Sequence, residues 1–470
     1  MKNTGILVLL FCLSSTLLAQ KPWYMHKDSI TRGAFGADTR AEATSKWQYR
    51  DYMRATATAV NASKIKGDTI YCGNLASWIR NNFGNYPISP EVKFLDQPNA
   101  GFCTGFLIAP DILVTAGHCI TSQEDLERTV WIFDYTSDVP YNRAEGFISI
   151  PKSNQFHAVE ILDQKLTSDQ TYDYCILRLD RKTGRKPYKF RTSGNVAFED
   201  MIAMIGSPSG LPLKLADSAR VTNNGYARTC FLTDLDAFHG NSGGPVFNMD
   251  GFIEGILVRG PGWDFHVEDS MIMPDMHMDA ENLNGKPADR GNGVHRITFT
   301  NWDWLRYAIY RNLQSSMEEG DDLEFYEWSL YRWIWKEDIP GYNNLLLEAV
   351  YKNHNRYLDT ILGMQNINVN AKALNGEYLV HAMAERNLAA AIRKCATRRE
   401  FDVDVRDGNG MTALMVAALH GNVAALQALT DAGADPKLTN SAGKSALEIA
   451  KAAKKKKAVK LIKKSLKKTK

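Results

Sequence analysis

Apolar residues along this chain keep two different rhythms. Between about residues 100 and 260 they gather in short runs broken by turn residues, among them Val130–Phe133, Gly146–Ile150, Ala158–Leu162 and Met201–Ile205. Two further runs flank Ala109-Pro110-Asp111, and Asp173–Leu179 sets an acid before alternating apolar positions. Gly206–Pro212 is rich in turn formers. Asn248–Gly251, lying between Val246-Phe247 and Gly255–Arg259, reads as a hairpin signal. Short strands with frequent turns predict an all-β barrel.

Past residue 300 the period becomes helical. Trp302, Leu305, Ile309 and Leu313 fall on one face, with Asn301 as the cap. An acidic stretch from Glu318 to Asp322 follows. Phe325, Tyr326, Trp328, Tyr331, Trp333 and Trp335 then crowd together before Pro340, and rings this large are expected to be buried at a domain junction. In the last 130 residues Gly410–Asn422 recurs 33 positions later as Gly443–Lys451, matching Ala413 to Ala446 and Leu414 to Leu447. Weaker copies begin near Gly376 and Gly341, which predicts about four stacked helical repeats with divergent ends.

Length and composition sharpen this outline. A chain of 470 residues with 44% hydrophobic content can bury two or three cores. Residues 1–20 carry Lys2, an apolar run from Ile6 through Leu18 and the small Ala19, the pattern of a secretory signal peptide cleaved near Ala19 or Gln20. That run is too short to span a bilayer, and no transmembrane segment is expected elsewhere. The expected location is therefore secreted or periplasmic, where disulfides persist. Cys12 leaves with the signal, while Cys72, Cys103, Cys119, Cys175, Cys230 and Cys395 remain. Cys175, inside an apolar run, reads as a buried thiol.

Candidate chemistry concentrates at Asp236–Phe247, where Gly240-Asn241-Ser242-Gly243-Gly244-Pro245 precedes an apolar run. Glycines around a serine free the backbone to turn sharply and let its amides face an oxyanion. Upstream, Gly101–Cys119 ends in Thr115-Ala116-Gly117-His118-Cys119, and Asp173 opens its own apolar run. These three stretches resemble the serine, histidine and aspartate motifs of chymotrypsin-fold peptidases. The order His118, Asp173, Ser242 is also the chymotrypsin order.

The resemblance implies a fold and an activity. The fold is a double six-stranded β-barrel with its active site in the cleft between the halves. In the expected reaction Ser242 attacks the scissile carbonyl, His118 takes its proton, and Asp173 holds the imidazole tautomer. The amides of Gly240 and Ser242 receive the oxyanion, and water releases the acyl-enzyme. It further implies a Cys103–Cys119 bridge pinning the His118 loop. Asn241 stands immediately before the nucleophile, so activation by pairing a new amino terminus with an acid there is not expected. No cofactor and no metal are called for. Met271, Met273, Met276, His277 and Met278 would suit Cu(I) by softness, but an ordinary surface loop is the expected reading. Gly33–Arg40 and Trp47–Ala59 are reminiscent of leader segments in bacterial secreted trypsin-like and glutamyl endopeptidases. They stand either for a propeptide or for a first strand and helix packed on the barrel.

Substrate preference has two readings. Asp236, six residues before Ser242, sits where trypsin-like enzymes carry the acid that binds Arg or Lys at P1. Gly255–Gly260 looks more like the glutamyl-endopeptidase branch, with Arg259 on the pocket wall to attract an acidic P1, although Leu257 and Ala237 replace that branch's histidine and threonine. Asp236 and Arg259 could also pair with each other. Basic P1 is the favoured expectation.

The 33-residue period with Thr412-Ala413-Leu414 opening a helix resembles the ankyrin repeat, which implies a protein partner on a concave surface. The terminus from Lys451 to Lys470 holds eleven lysines and no acid, so with a formal net charge of +3 the remaining chain sums to about −8. The expected role of this tail is a capping helix with a solvated basic face, and an anionic surface is its second option. Nucleic acid is not expected, because aromatics are not interleaved there.

The chain thus divides into a signal peptide at 1–20, a leader or propeptide at 21–95, and a chymotrypsin-like serine peptidase domain at 96–315. An acidic and aromatic linker at 316–340 and ankyrin repeats with a Lys-rich cap at 341–470 follow. The expected function is a secreted serine endopeptidase acting on proteins or peptides. The alternative is a catalytically inactive peptidase-fold scaffold working through its repeats.

Overall fold

The short apolar runs roll into two closed six-stranded antiparallel barrels in the computed structural model, which describes residues 38–168, 171–259, 264–274, 291–331, 344–364 and 367–468. The first barrel is built from β1 (Thr56–Asn61), β2 (Cys103–Ala109), β3 (Ile112–Thr115), β4 (Thr129–Phe133), β5 (Gln155–Leu166) and β6 (Asp173–Leu179). They close in the order β5-β6-β3-β2-β1-β4. Ala57 on β1 faces Gly105 of β2 on one side and Phe133 of β4 on the other. Gly105 has no alternative here, since a Cβ would lie 2.6 Å from Leu113 and 2.7 Å from Trp131 inside the barrel. Residues 56–61, inside the leader region, form a stave of this barrel.

The second barrel comprises β7 (Met201–Gly206), β8 (Lys214–Asn223), β9 (Cys230–Thr233), β10 (Pro245–Asn248), β11 (Phe252–Arg259) and β12 (Asn292–Arg296). Its ring β8-β7-β10-β11-β12-β9 is closed by the pairing of Val221 with Thr233. Ile202, Met204, Val221, Phe231, Val246, Leu257 and Val294 fill its interior. Burying each such side chain contributes roughly 1.5–3 kcal/mol against an unfolded chain. Closure also removes the sheet edges that would otherwise pair with other chains.

Two additions flank this barrel. Ala41-Glu42 pairs with Leu215-Lys214, and the Glu42 carboxylate meets the nearly inaccessible Lys214 ammonium at 2.9 Å. Burial pulls the Lys214 pKa down to about 8. On another side, the helix Leu75–Phe83 is capped by the Asn74 side chain. It packs its Ile79, Trp78 and Phe83 with Phe265 and Ile272 of a hairpin formed by Phe265–Glu268 and Met271–Pro274. Met271 and Met273 belong to that hairpin, whereas Met276, His277 and Met278 lie outside the described residues, as does the expected signal peptide.

Residues 301–470, with residues 108–112, cluster as a second compact unit. Its first helix, Trp302–Glu319, starts at Asn301, whose side chain accepts from the Asp303 amide, and stops at Gly320 in the left-handed region. Of the aromatic crowd, Phe325, Trp328 and Tyr331 are buried within this unit, Tyr326 is half exposed, and Trp333 and Trp335 lie outside the described residues. Four helix pairs follow, their first helices being Leu345–Tyr351, Leu379–Glu385, Ala413–His420 and Ala446–Ala452. The last first-helix carries a complete capping box between Ser445 and Glu448. The Lys-rich tail forms the final helix, Lys456–Lys468, which buries Ala458 and Ile462 and leaves most of its lysines in solvent. Among the described residues, no helix is long and apolar enough to cross a membrane.

Candidate functional site

His118 lies on a short 3-10 turn, Gly117–Cys119, that follows the end of β3. Gly117 is required at this point, because a Cβ there would stand 2.8 Å from the Lys165 carbonyl and 3.0 Å from the Tyr174 amide. The turn is tied down at its far end by a disulfide from Cys119 to Cys103 at the start of β2. Asp173 is the first residue of β6 and is 6% exposed. Its carboxylate accepts from the His118 amide at 3.1 Å and meets ring nitrogen Nδ1 at 2.9 Å. With Nδ1 carrying the proton, Nε2 is left as the basic nitrogen. The His118 side chain is 37% exposed.

Ser242 lies on the turn between Phe238 and Pro245, which docks on the first barrel through Thr104. The Thr104 amide donates to the Ser242 carbonyl at 2.8 Å, and its hydroxyl donates to the Gly240 carbonyl at 2.7 Å. Gly243, at φ +85°, fits against the same strand: a Cβ would come within 2.1 Å of the Thr104 carbonyl and of the Thr115 hydroxyl. Cys119 Sγ stands 3.6 Å from the Ser242 carbonyl oxygen and within 4.8 Å of a His118 ring nitrogen. The disulfide thus lies between the histidine and serine segments. Among the described residues, no hydrogen bond joins Ser242 Oγ to the His118 ring. Nor does the Gly240 or Ser242 amide donate within the protein. Those two amides have no acceptor among the described residues.

Around this centre, several groups have unusual electrostatics. Asp236 accepts from the Thr39 amide at 2.6 Å and from the Thr39 hydroxyl, and burial holds its carboxyl above the usual range. Asp234 nearby is pushed up to about 6 by burial. Arg259 lays its aliphatic stem over Gly293, and its charge acts on Cys230 and His295. His295 is fully buried with neither ring nitrogen hydrogen-bonded, and burial lowers its pKa to about 4. Asn241 is 1% exposed and neither of its side-chain polar atoms has a protein partner, in a position where a neighbouring Gly206 leaves it room. Cys175 is a buried free thiol, as are Cys230 and Cys395, while Cys72 is half-buried.

The fold thus brings His118 and Asp173 into direct contact and sets the Ser242 turn beside their disulfide. Sequence reasoning missed Thr104, Thr39, His239 and Asp264. Thr104 stands within the histidine motif and could have been suspected. Asp264, in an irregular insertion, offers no such signal.

Residues 103–256 match the trypsin-like peptidase domain family, and residues 396–450 match ankyrin repeats. With the two closed barrels and the helix pairs, these matches fit a chymotrypsin fold with a trypsin-like peptidase domain, followed by C-terminal ankyrin repeats. A curated relative is the extracellular metalloprotease of Bacillus subtilis (strain 168), 24% identical over 163 residues. That match takes in 33% of this chain and 49% of the relative, so the chain spans about half the length of the curated relative it matches.

Proposed function

We propose that this protein is a secreted serine endopeptidase with an ankyrin module for protein binding. The observation that carries the reading is the Asp173 carboxylate gripping both the amide and Nδ1 of His118 beside a glycine-flanked serine. In this reading Ser242 Oγ attacks the scissile carbonyl while His118 Nε2 takes its proton. Asp173 keeps the tautomer and stabilises the imidazolium. The amides of Gly240 and Ser242 receive the oxyanion, and the same imidazolium then protonates the leaving amine before water releases the acyl group. Bonds between a nucleophile and its base often tighten only in the substrate complex, so this reading expects the Ser242–His118 bond to form there.

A metal-dependent mechanism, as the name of the Bacillus relative suggests, finds no fitting ligand set among the described residues. Among the described residues Cys103, His118 and Cys119 bring ligand atoms together. Both thiols are consumed in their mutual disulfide and His118 Nδ1 is engaged by Asp173, so this donor set does not fit a metal ion.

For specificity, a cationic P1 side chain would reach Asp236 in competition with Thr39, whereas Arg259 supports the acidic alternative. The repeats supply a surface for a protein partner, and the exposed lysines of the final helix supply one for an anionic surface. A fluorophosphonate probe tests the chemistry. It should label the mature protein and leave Ser242→Ala unlabelled. If folded, mature protein is not labelled, the scaffold alternative stands instead.

A further inference from the structure

The turn that carries Ser242 is held from below by a carboxylate outside both barrels. Asp264 immediately precedes the hairpin strand Phe265–Glu268 and is 5% exposed. One of its oxygens accepts from the His239 amide at 2.7 Å and meets His239 Nδ1 at 2.8 Å. The other accepts from the Ser209 hydroxyl at 2.7 Å. Ser209 and His239 are also joined directly, because the Ser209 amide donates to the His239 carbonyl. One buried acid therefore clamps two loops that meet at a single peptide unit.

That peptide unit links His239 to Gly240. In a planar trans peptide, the carbonyl and the following N–H point in opposite directions. With the His239 carbonyl turned onto Ser209, the Gly240 N–H must turn away from Ser209, where it finds no partner among the described residues. Gly240 holds φ +90°, and a Cβ there would lie 2.4 Å from the Ser207 carbonyl, so the peptide sits in a tight seat. The seat is not self-supporting: Ser209 itself adopts φ +51°, an uncommon conformation for a residue with a side chain. Asp264 holds that serine by its hydroxyl. Phe265, 1% exposed and packed edge-on against Phe238 and Phe83, fixes the carboxylate's own backbone.

We propose that Asp264 is a positioning residue of the oxyanion site, locking the Ser209–His239 contact so that the Gly240 amide faces the reacting carbonyl. This inference rests on the serine-peptidase reading. Asp264 touches no substrate in this role. It acts through the backbone of His239, and its hydrogen bond to the exposed His239 ring holds that imidazole above its usual range.

The test compares wild type with Asp264→Ala, Asp264→Asn and His239→Ala on a small ester substrate, with a peptide aldehyde as tetrahedral-adduct probe. Thermal melts report the folded fraction. Loss of one oxyanion donor costs about 10²–10³ in kcat. Asp264→Ala is therefore expected to lower kcat about 100-fold and weaken the aldehyde in parallel, with KM changed less than about 3-fold. Asp264→Asn, which keeps an acceptor for the His239 amide, should recover much of that loss. His239→Ala, which keeps its backbone bond to Asp264, should lose far less than Asp264→Ala. An Asp264→Ala protein that is folded and keeps wild-type kcat overturns the inference, as does a loss confined to KM or to the folded fraction. If wild type neither hydrolyses the ester nor takes up a fluorophosphonate, the peptidase reading falls and this inference falls with it. An active wild type with an indifferent Asp264→Ala removes this inference alone.

Discussion

The Thr104 hydroxyl donates to the Gly240 carbonyl at 2.7 Å, so a side chain of the first barrel fixes the turn that the second barrel supplies. The same oxygen accepts from the Ser207 amide at 3.0 Å. Thr104→Val keeps the shape but leaves both backbone groups buried without a partner, at a cost of about 1–3 kcal/mol each. The expected result is a lower melting temperature and at least a 10-fold fall in ester hydrolysis. Unchanged values for both would show that Thr104 does not hold the turn.

Asp173→Asn keeps the volume at the mouth of β6 and reverses the hydrogen bonding to His118 Nδ1. With the proton driven to Nε2, the ring can no longer accept from Ser242. A fall in kcat of about 10⁴ with KM nearly unchanged is expected. Steady-state kinetics on a short peptide ester measure it, and a loss under 10-fold would remove Asp173 from the mechanism.

Acid should weaken the second barrel through His295. Burial brings its pKa to about 4, against 6.5 for the free ring. Between those values the unfolded chain takes up a proton that the folded chain refuses, so stability is lost as pH falls from about 6.5 to about 4. The difference corresponds to about 3 kcal/mol. Urea melts should show that acid limb in wild type and a flatter one in His295→Phe, whose ring suits the neighbouring Tyr172 and Tyr174. Parallel limbs in the two proteins would assign the acid loss elsewhere.

The Cys103–Cys119 bridge closes a loop with a sequence separation of 16. In the chain-entropy model it contributes about 3 kcal/mol. Non-reducing peptide mapping should recover the two cysteines as one cross-linked fragment. Cys103→Ser/Cys119→Ser should unfold at lower denaturant and lose activity as the His118 turn loosens. Free thiols at both positions in mature protein would contradict the bridge.

Asp236 offers a charge that is already shared, since Thr39 donates to it twice. If it selects P1, wild type cleaves a peptide library after Arg or Lys and Asp236→Ser loses that preference by about 10-fold or more, a charge-assisted bond being worth about 1.5–3 kcal/mol. Cleavage after acidic residues that disappears in Arg259→Ala would give the selection to the opposite wall.

What the sequence made legible follows from how local each signal is. A nucleophile on a glycine turn, a histidine before a cysteine and a 33-residue repeat are written in consecutive residues, and the matched families cover those stretches. Many staves were likewise readable as short apolar runs bounded by turns, but Asn292–Arg296, with Val294 its one large apolar residue, and Thr56–Asn61, inside a stretch whose readings included a propeptide, were not. Asp264 and Thr39 were not, because each matters only through a partner far along the chain: 25 residues to His239 and 197 to Asp236. The orphaned imidazole of His295 was equally hidden, since nothing in Gly293–Arg296 announces that its surroundings offer no acceptor.

The link between Thr39 and Asp236 also sets a schedule. A ribosome adding about 5–20 residues per second needs roughly 10–40 s to make the chain that separates them. Over most of that interval the early segment has neither Asp236 for Thr39 nor Lys214 for Glu42. Thr39 therefore waits for its acceptor, and the amino-terminal segment can dock at this wall only once Asp236 has been made.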